Sequence, residues 1–171
     1  MGWTAEDTLP KRDKCIICVA PHTSNWDFII GQLYYRSIGR HAGFLMKKEW
    51  FWGPLGWIFR RMGGIPVYRS QKASMTDTIA EQAMAADRFA VAITPEGTRK
   101  LVTTWKRGFY YIAHKAGLPI QCYAMDFERK HITGTLEIMP SGNVEADLRC
   151  IMEYYRPVKG KHPELFATEE L

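Results

Sequence analysis

Short apolar runs alternate along this chain with longer stretches whose apolar residues recur at helical spacing. Cys15-Ile16-Ile17-Cys18-Val19-Ala20 is a continuous apolar run that stops at Pro21, as a buried strand does. Phe28, Ile29, Ile30, Leu33, Tyr34 and Ile38 then follow a helical period up to Gly39, with Asn25 or Asp27 as the expected cap. Residues 43–46 predict a second strand, residues 65–68 a third after the Gly63-Gly64 pair, and residues 89–93 a fourth running into Pro95-Glu96-Gly97. Helices are expected over 73–86, over 108–116 with a stop at Gly117, and over 144–155. Two more strands are expected at 120–125 and 132–138. Strands alternating with helices predict an α/β domain with a mostly parallel central sheet flanked by helices.

Functional groups in such sheets collect where strands end and loops begin. Three polar segments fall at such places: His22-Thr23-Ser24-Asn25-Trp26-Asp27, Gly63-Gly64-Ile65-Pro66-Val67-Tyr68-Arg69, and Thr94-Pro95-Glu96-Gly97-Thr98-Arg99. In the first, an imidazole able to take a proton near neutral pH stands five positions before a carboxylate able to orient it.

Composition narrows the partners. At 171 residues, with 46% hydrophobic and 24% charged residues, the chain reads as a single globular domain over 1–171. Its net charge of +5 favours anionic partners. The basic residues come in ones and twos rather than in a stripe, so no nucleic-acid partner is expected. No apolar run is long enough to span a bilayer, and the first residues do not read as a secretory signal, so a cytoplasmic protein is expected. Cys15 and Cys18 form a C-x-x-C with no second pair or nearby histidine. They read as buried thiols, and neither a metal nor a bound cofactor is expected.

Residues 50–62 set Trp50, Phe51, Trp52, Trp57 and Phe59 beside Arg60 and Arg61. Two readings fit: rings at head-group depth with arginines on lipid phosphate, or rings packed in the core or along an acyl-chain groove.

Taken together and in order, the three segments resemble the motif blocks of the glycerolipid acyltransferases, the superfamily that acylates glycerol 3-phosphate and lysophosphatidic acid. His22 to Asp27 is similar to that family's H-x-x-x-x-D, Gly63 to Arg69 to its second block, and Glu96-Gly97-Thr98-Arg99 to its E-G-T-R. Leu118-Pro119-Ile120 stands where a fourth, proline-containing block is expected. The resemblance spans about residues 15–126. Tyr68 departs from it where an acidic residue often precedes the arginine, as does Lys100 where serine often follows E-G-T-R.

The resemblance implies an acyltransferase domain without the N-terminal membrane helices of many relatives. It would move a fatty acyl group from acyl-CoA or acyl carrier protein to a lysophospholipid-like hydroxyl, foremost that of 1-acylglycerol 3-phosphate. The enzyme would sit peripherally on the inner face of the membrane. His22 and Asp27 are then the catalytic base and its partner, with direct transfer rather than an acyl-enzyme on Ser24. Arg69 and Arg99 are expected to bind the acceptor phosphate through their planar forks. Glu96 would orient an arginine or the acceptor, or pair with Arg69 or Arg99 for structure alone. Gly97 would let backbone approach a ligand, with Thr98 beside it. Lys47, Lys48, Lys106 and Arg107 would add positive field, Lys48 as a substrate-binding residue. Two rival readings keep the fold: a thioesterase or an acyltransferase with a non-phosphate acceptor, and a non-catalytic lipid-binding module.

Overall fold

A computed structural model of the chain describes residues 2–67 and 72–168. The strands are β1 (Thr4–Asp7), β2 (Lys14–Ala20), β3 (Gly43–Lys47), β4 (Gly64–Val67), β5 (Phe89–Ile93), β6 (Ile120–Asp126) and β7 (His131–Ile138). The helices are α1 (Asn25–Ser37), α2 (Gly53–Arg61), α3 (Lys72–Ala85), α4 (Gly108–Ala116) and α5 (Val144–Tyr155). All seven strands form one sheet in the order β1-β7-β6-β2-β5-β3-β4. Strands β6, β2, β5, β3 and β4 run parallel, and β7 turns back antiparallel to β6, carrying β1 parallel to itself. The expected α/β architecture with a mostly parallel sheet is the one observed.

Strand β2 is central and buried on both sides, which is why its sequence is apolar without alternation. Ile16, Cys18 and Ala20 face the larger core, built with Ile79 and Ala83 of α3, Phe109 and Ile112 of α4, and Leu148 and Ile151 of α5. Cys15 and Ile17 face a smaller core with Tyr35 of α1, Leu9, Tyr123 and Ile132. Both C-x-x-C thiols are therefore buried, one on each side of the sheet, and burial pushes the Cys15 thiol up to about 12. Three helices cover one face of the sheet, whereas α1 packs on the other. Asp7 ties this second layer together by accepting hydrogen bonds from the hydroxyls of Tyr34 and Tyr123, each at 3.1 Å.

Two elements differ from the sequence reading. β1 joins the sheet edge, although its four residues Thr-Ala-Glu-Asp carry no apolar pattern; backbone pairing with β7 and the hydrogen bonds Asp7 accepts from Tyr34 and Tyr123 hold it there. Within the aromatic stretch, Pro54 at the first turn starts α2, and Gly56 is that helix's buried residue. A β-carbon on Gly56 would run into the backbone of Phe51, so this close approach requires glycine. The core reading of the tryptophans is overturned: Trp50, Trp52 and Trp57 are 54%, 89% and 66% exposed. Phe51 and Phe59 are half-buried against each other, with ring centroids 6.4 Å apart.

Candidate active site

Parallel pairing brings the first and third motif segments together. Cys18 of β2 lies in register with Ile93 of β5, so the loops leaving the two strands are neighbours. His22 stands two residues past the end of β2, and Glu96 three past the end of β5.

Ser24 caps α1, a place the sequence reading gave to Asn25 or Asp27. Its hydroxyl accepts the backbone N–H of Trp26 at 3.1 Å and donates to Asp27 Oδ1 at 2.8 Å. Asp27 completes the box from the third helical position, where its Oδ2 accepts the backbone N–H groups of Thr23 at 2.7 Å and Ser24 at 2.8 Å. Cap and candidate catalytic partner are thus one residue, and the helix N-terminus favours its negative charge. Ser24's hydroxyl is taken up by these bonds, which leaves it poorly placed to act as a nucleophile.

Asp27 is 2% exposed, and its Oδ2 lies 3.4 Å from Nδ1 of His22. Burial alone would raise this carboxyl, but contacts from His22 and from the amide and hydroxyl of Ser24 outweigh it and hold the group below its ordinary range. It is therefore a carboxylate at neutral pH. The 3.4 Å separation is longer than a charge-assisted hydrogen bond, as is common before substrate tightens such contacts. With Nδ1 on the aspartate side, Nε2 has no hydrogen-bond partner among the described residues, and the ring keeps 20% of its surface open.

Glu96 is 3% exposed, and its Oε1 accepts the backbone N–H of His22 at 2.8 Å. Its Oε2 is buried with no hydrogen-bond partner among the described residues. Burial pushes the carboxyl up to about 7, and the amide bonds it accepts only partly oppose that rise. Glu96 thus fixes the loop that carries His22. Arg99, instead of pairing with Glu96, donates to Oδ1 of Asn25 in the first turn of α1. Its charge is left without a carboxylate partner among the described residues, and its side chain is exposed beside the His22 loop.

Gly97 adopts a left-handed conformation with φ of 62°. The Lys106 side chain lies over it, so a β-carbon there would come within 2.8 Å of Lys106 Cδ. Lys106 therefore borders the E-G-T-R turn and also closes it, its amide bonding Pro95's carbonyl at 2.8 Å. Thr98 accepts the amide of Lys100 within the same loop at 3.4 Å. Lys48 opens a 3-10 turn directly after β3, at this same end of the sheet. Arg69 lies outside the described residues, two positions past the end of β4.

The C-terminal segment supplies a contact with no sequence signal. The amide of His162 bonds Thr23 Oγ1 at 3.2 Å, and Gly160 lies so close that a β-carbon would come within 2.8 Å of that same oxygen. Lys161's ammonium sits 5.3 Å from the Trp26 ring. Behind them, Tyr155 donates to the carbonyl of Cys18 at 2.7 Å. The His22 loop is thus held from below by Glu96 and from the side by this strap.

A domain of this topology, with a histidine–aspartate pair at the end of its central strand, belongs to a definite class. The family model described as Acyltransferase matches residues 3–126, well over half of the chain. The protein is a member of the acyltransferase family, within the glycerolipid acyltransferase superfamily. No curated relative matches the chain.

Proposed function

We propose that the protein is an O-acyltransferase that moves a fatty acyl group from a thioester donor, acyl-CoA or acyl carrier protein, to the hydroxyl of a lysophospholipid-like acceptor, foremost 1-acylglycerol 3-phosphate. The observation that carries this reading is the pair of side chains at the end of β2. Asp27, buried and ionised, stands at Nδ1 of His22, and Nε2 has no hydrogen-bond partner among the described residues.

In the proposed reaction Nε2 takes the proton of the acceptor hydroxyl as that oxygen attacks the acyl carbon. The C–O bond forms, the tetrahedral centre collapses and the C–S bond breaks. The imidazolium then returns its proton to the departing thiolate. Asp27 stabilises the imidazolium while it exists, and general-base assistance of this kind is worth ~10²–10⁴-fold. Arg99, without a carboxylate partner among the described residues and beside the same loop, is suited to the acceptor phosphate, with Arg69, Thr98 and Lys48 as further contacts.

Membrane attachment at the cytoplasmic face is part of the same proposal. No helix among the described residues is long and apolar enough to cross a bilayer. Trp52, Leu55, Trp57 and Ile58 are exposed around α2, next to Arg60 and Arg61, while Trp26, Ile29 and Leu33 are exposed along α1. Exposed tryptophans beside arginines suit head-group depth.

The test is a panel of acyl donors and lysolipid acceptors read by mass spectrometry. Acylated product should form with a phosphate-bearing lysolipid and be absent when the acceptor is omitted. Free fatty acid released without acceptor would instead make the protein a thioesterase.

A further inference from the structure

A cleft of about 430 Å³ opens at the opposite end of the sheet from His22. It is walled by the residues leading into β2, β3 and β5 and by the C-terminal ends of α1 and α2. Seven lysines and arginines line it against one carboxylate, Asp13. Three of the seven are neutralised: Arg12 lies 2.6 Å from Glu137, Arg88 lies 3.6 Å from Asp13, and Arg40 lies 3.7 Å from Asp7. The other four, Lys11, Arg36, Arg60 and Arg61, have no carboxylate partner among the described residues. Four uncompensated cations around one concavity compare with a net charge of +5 for the whole chain.

Two ordinary explanations fall short of that number. Arg36 stands in the last turn of α1, and Arg60 and Arg61 stand in the last turn of α2, where cations offset a helix dipole. Each helix end carries only about half a negative charge, so two ends account for about one cation of the four. Independent solvated charges would have no reason to gather, since like charges repel and a concave wall concentrates their field. The volume lies within the ~300–1,000 Å³ typical of small-ligand sites, which suits a compact anion better than a nucleic-acid duplex.

We propose that this cleft is a second anion site, taking a group with two or more clustered phosphates carried either by a soluble polyphosphate compound or by an anionic lipid head group. The guanidinium forks of Arg36, Arg60 and Arg61 match phosphate oxygens, and Lys11 adds a point charge. β2 spans seven residues between the cleft and the His22 loop, about 20 Å at ~3.3 Å per residue. A ligand held here stays clear of the reacting atoms, and the proposal stands whether or not the acyl-transfer reading does.

Titration calorimetry of the full chain with inorganic pyrophosphate at low salt tests it, beside sedimentation with cardiolipin vesicles, whose head group carries two phosphates, and with phosphatidylglycerol vesicles of equal charge, whose head group carries one. The proteins compared are wild type, the Arg36→Gln/Arg60→Gln double variant, Arg149→Gln on the exposed side of α5 as control, and Arg99→Ala at the other site. All four residues are exposed, and circular dichroism checks that each variant folds. Pyrophosphate binding weakened at least ten-fold in the double variant alone supports the site with a soluble ligand. Cardiolipin-vesicle binding lost in the double variant while phosphatidylglycerol-vesicle binding is kept, with no pyrophosphate heat, supports it with a lipid head group. Equal loss on both vesicles assigns the two arginines to general membrane attachment and overturns it. Equal binding of pyrophosphate and cardiolipin vesicles by wild type and double variant, no binding of either, or loss confined to Arg99→Ala would also overturn it.

Discussion

The carboxylate of Glu96, in the loop after β5, accepts the backbone N–H of His22, in the loop after β2, at 2.8 Å. One loop thereby sets the position of the other. In Glu96→Ala the part-buried His22 amide loses its acceptor, a loss of about 1 kcal/mol, and the imidazole loses its fixed position over Asp27. Misplacement by about 1 Å costs on the order of 10²-fold in rate. Glu96→Ala should therefore lower kcat at least ten-fold while moving KM little. Glu96→Gln, which keeps an acceptor oxygen in place, should recover most of the loss. Equal damage from Ala and Gln would mean that Glu96 acts through its charge rather than through the His22 amide.

Glu96 and Asp27 should pull stability in opposite directions with pH. The folded-state pKa of Glu96 is raised from 4.5 to about 7, so the fold favours its neutral form. Stability from this group is full below about 4.5 and is lost as pH rises toward about 7, a change on the order of 3 kcal/mol. Asp27 is held below its ordinary 3.8, so its contribution is present above that value and is lost as pH falls through the lower folded one. Denaturant midpoints measured across pH should show Glu96→Gln flattening the slope between pH 5 and 7. Asp27→Asn should destabilise at pH 7, and its deficit should shrink in strong acid. A wild-type slope retained in Glu96→Gln would remove Glu96 as its source.

Much of this architecture was legible because burial writes itself into sequence. β2 and β6 are apolar or nearly so since both of their faces are covered, and α4 ends at Gly117, where a left-handed residue is required. The candidate base and its aspartate were legible by type and spacing. The role of Glu96 was not, because a hydrogen bond from a backbone amide to a carboxylate 74 positions away leaves no residue pattern on the donor side. The choice of Ser24 over Asn25 or Asp27 as cap turned on local geometry that all three residue types can adopt. The hold of Gly160 and His162 on Thr23 likewise rests on backbone approach, and β1 on backbone pairing and on the distant tyrosines that bond Asp7.

Arg99 should govern the acceptor and not the donor. Its charge faces Asn25 rather than a carboxylate, so Arg99→Ala removes a cation without orphaning a buried anion. Loss of a charge-assisted phosphate contact, about 1.5–3 kcal/mol, should raise the acceptor KM by about ten-fold to a hundred-fold and leave the donor KM within two-fold. A rise confined to the donor KM would move Arg99 to the coenzyme side.

Trp52 and Trp57 should report membrane contact. Both are exposed, so Trp52→Ala/Trp57→Ala should keep the wild-type melting temperature within a degree or two while weakening sedimentation with anionic vesicles several-fold. A fall in melting temperature without any change in vesicle binding would return the two rings to a packing role.

The central claim is that His22 takes the acceptor's proton, and thiol release from an acyl thioester tests it most directly. Wild-type protein should release thiol only when a lysolipid acceptor is supplied. His22→Ala should cut that release by ~10²-fold or more while leaving the melting temperature and Arg99-dependent acceptor binding intact. Full acceptor-dependent turnover in His22→Ala would contradict the account.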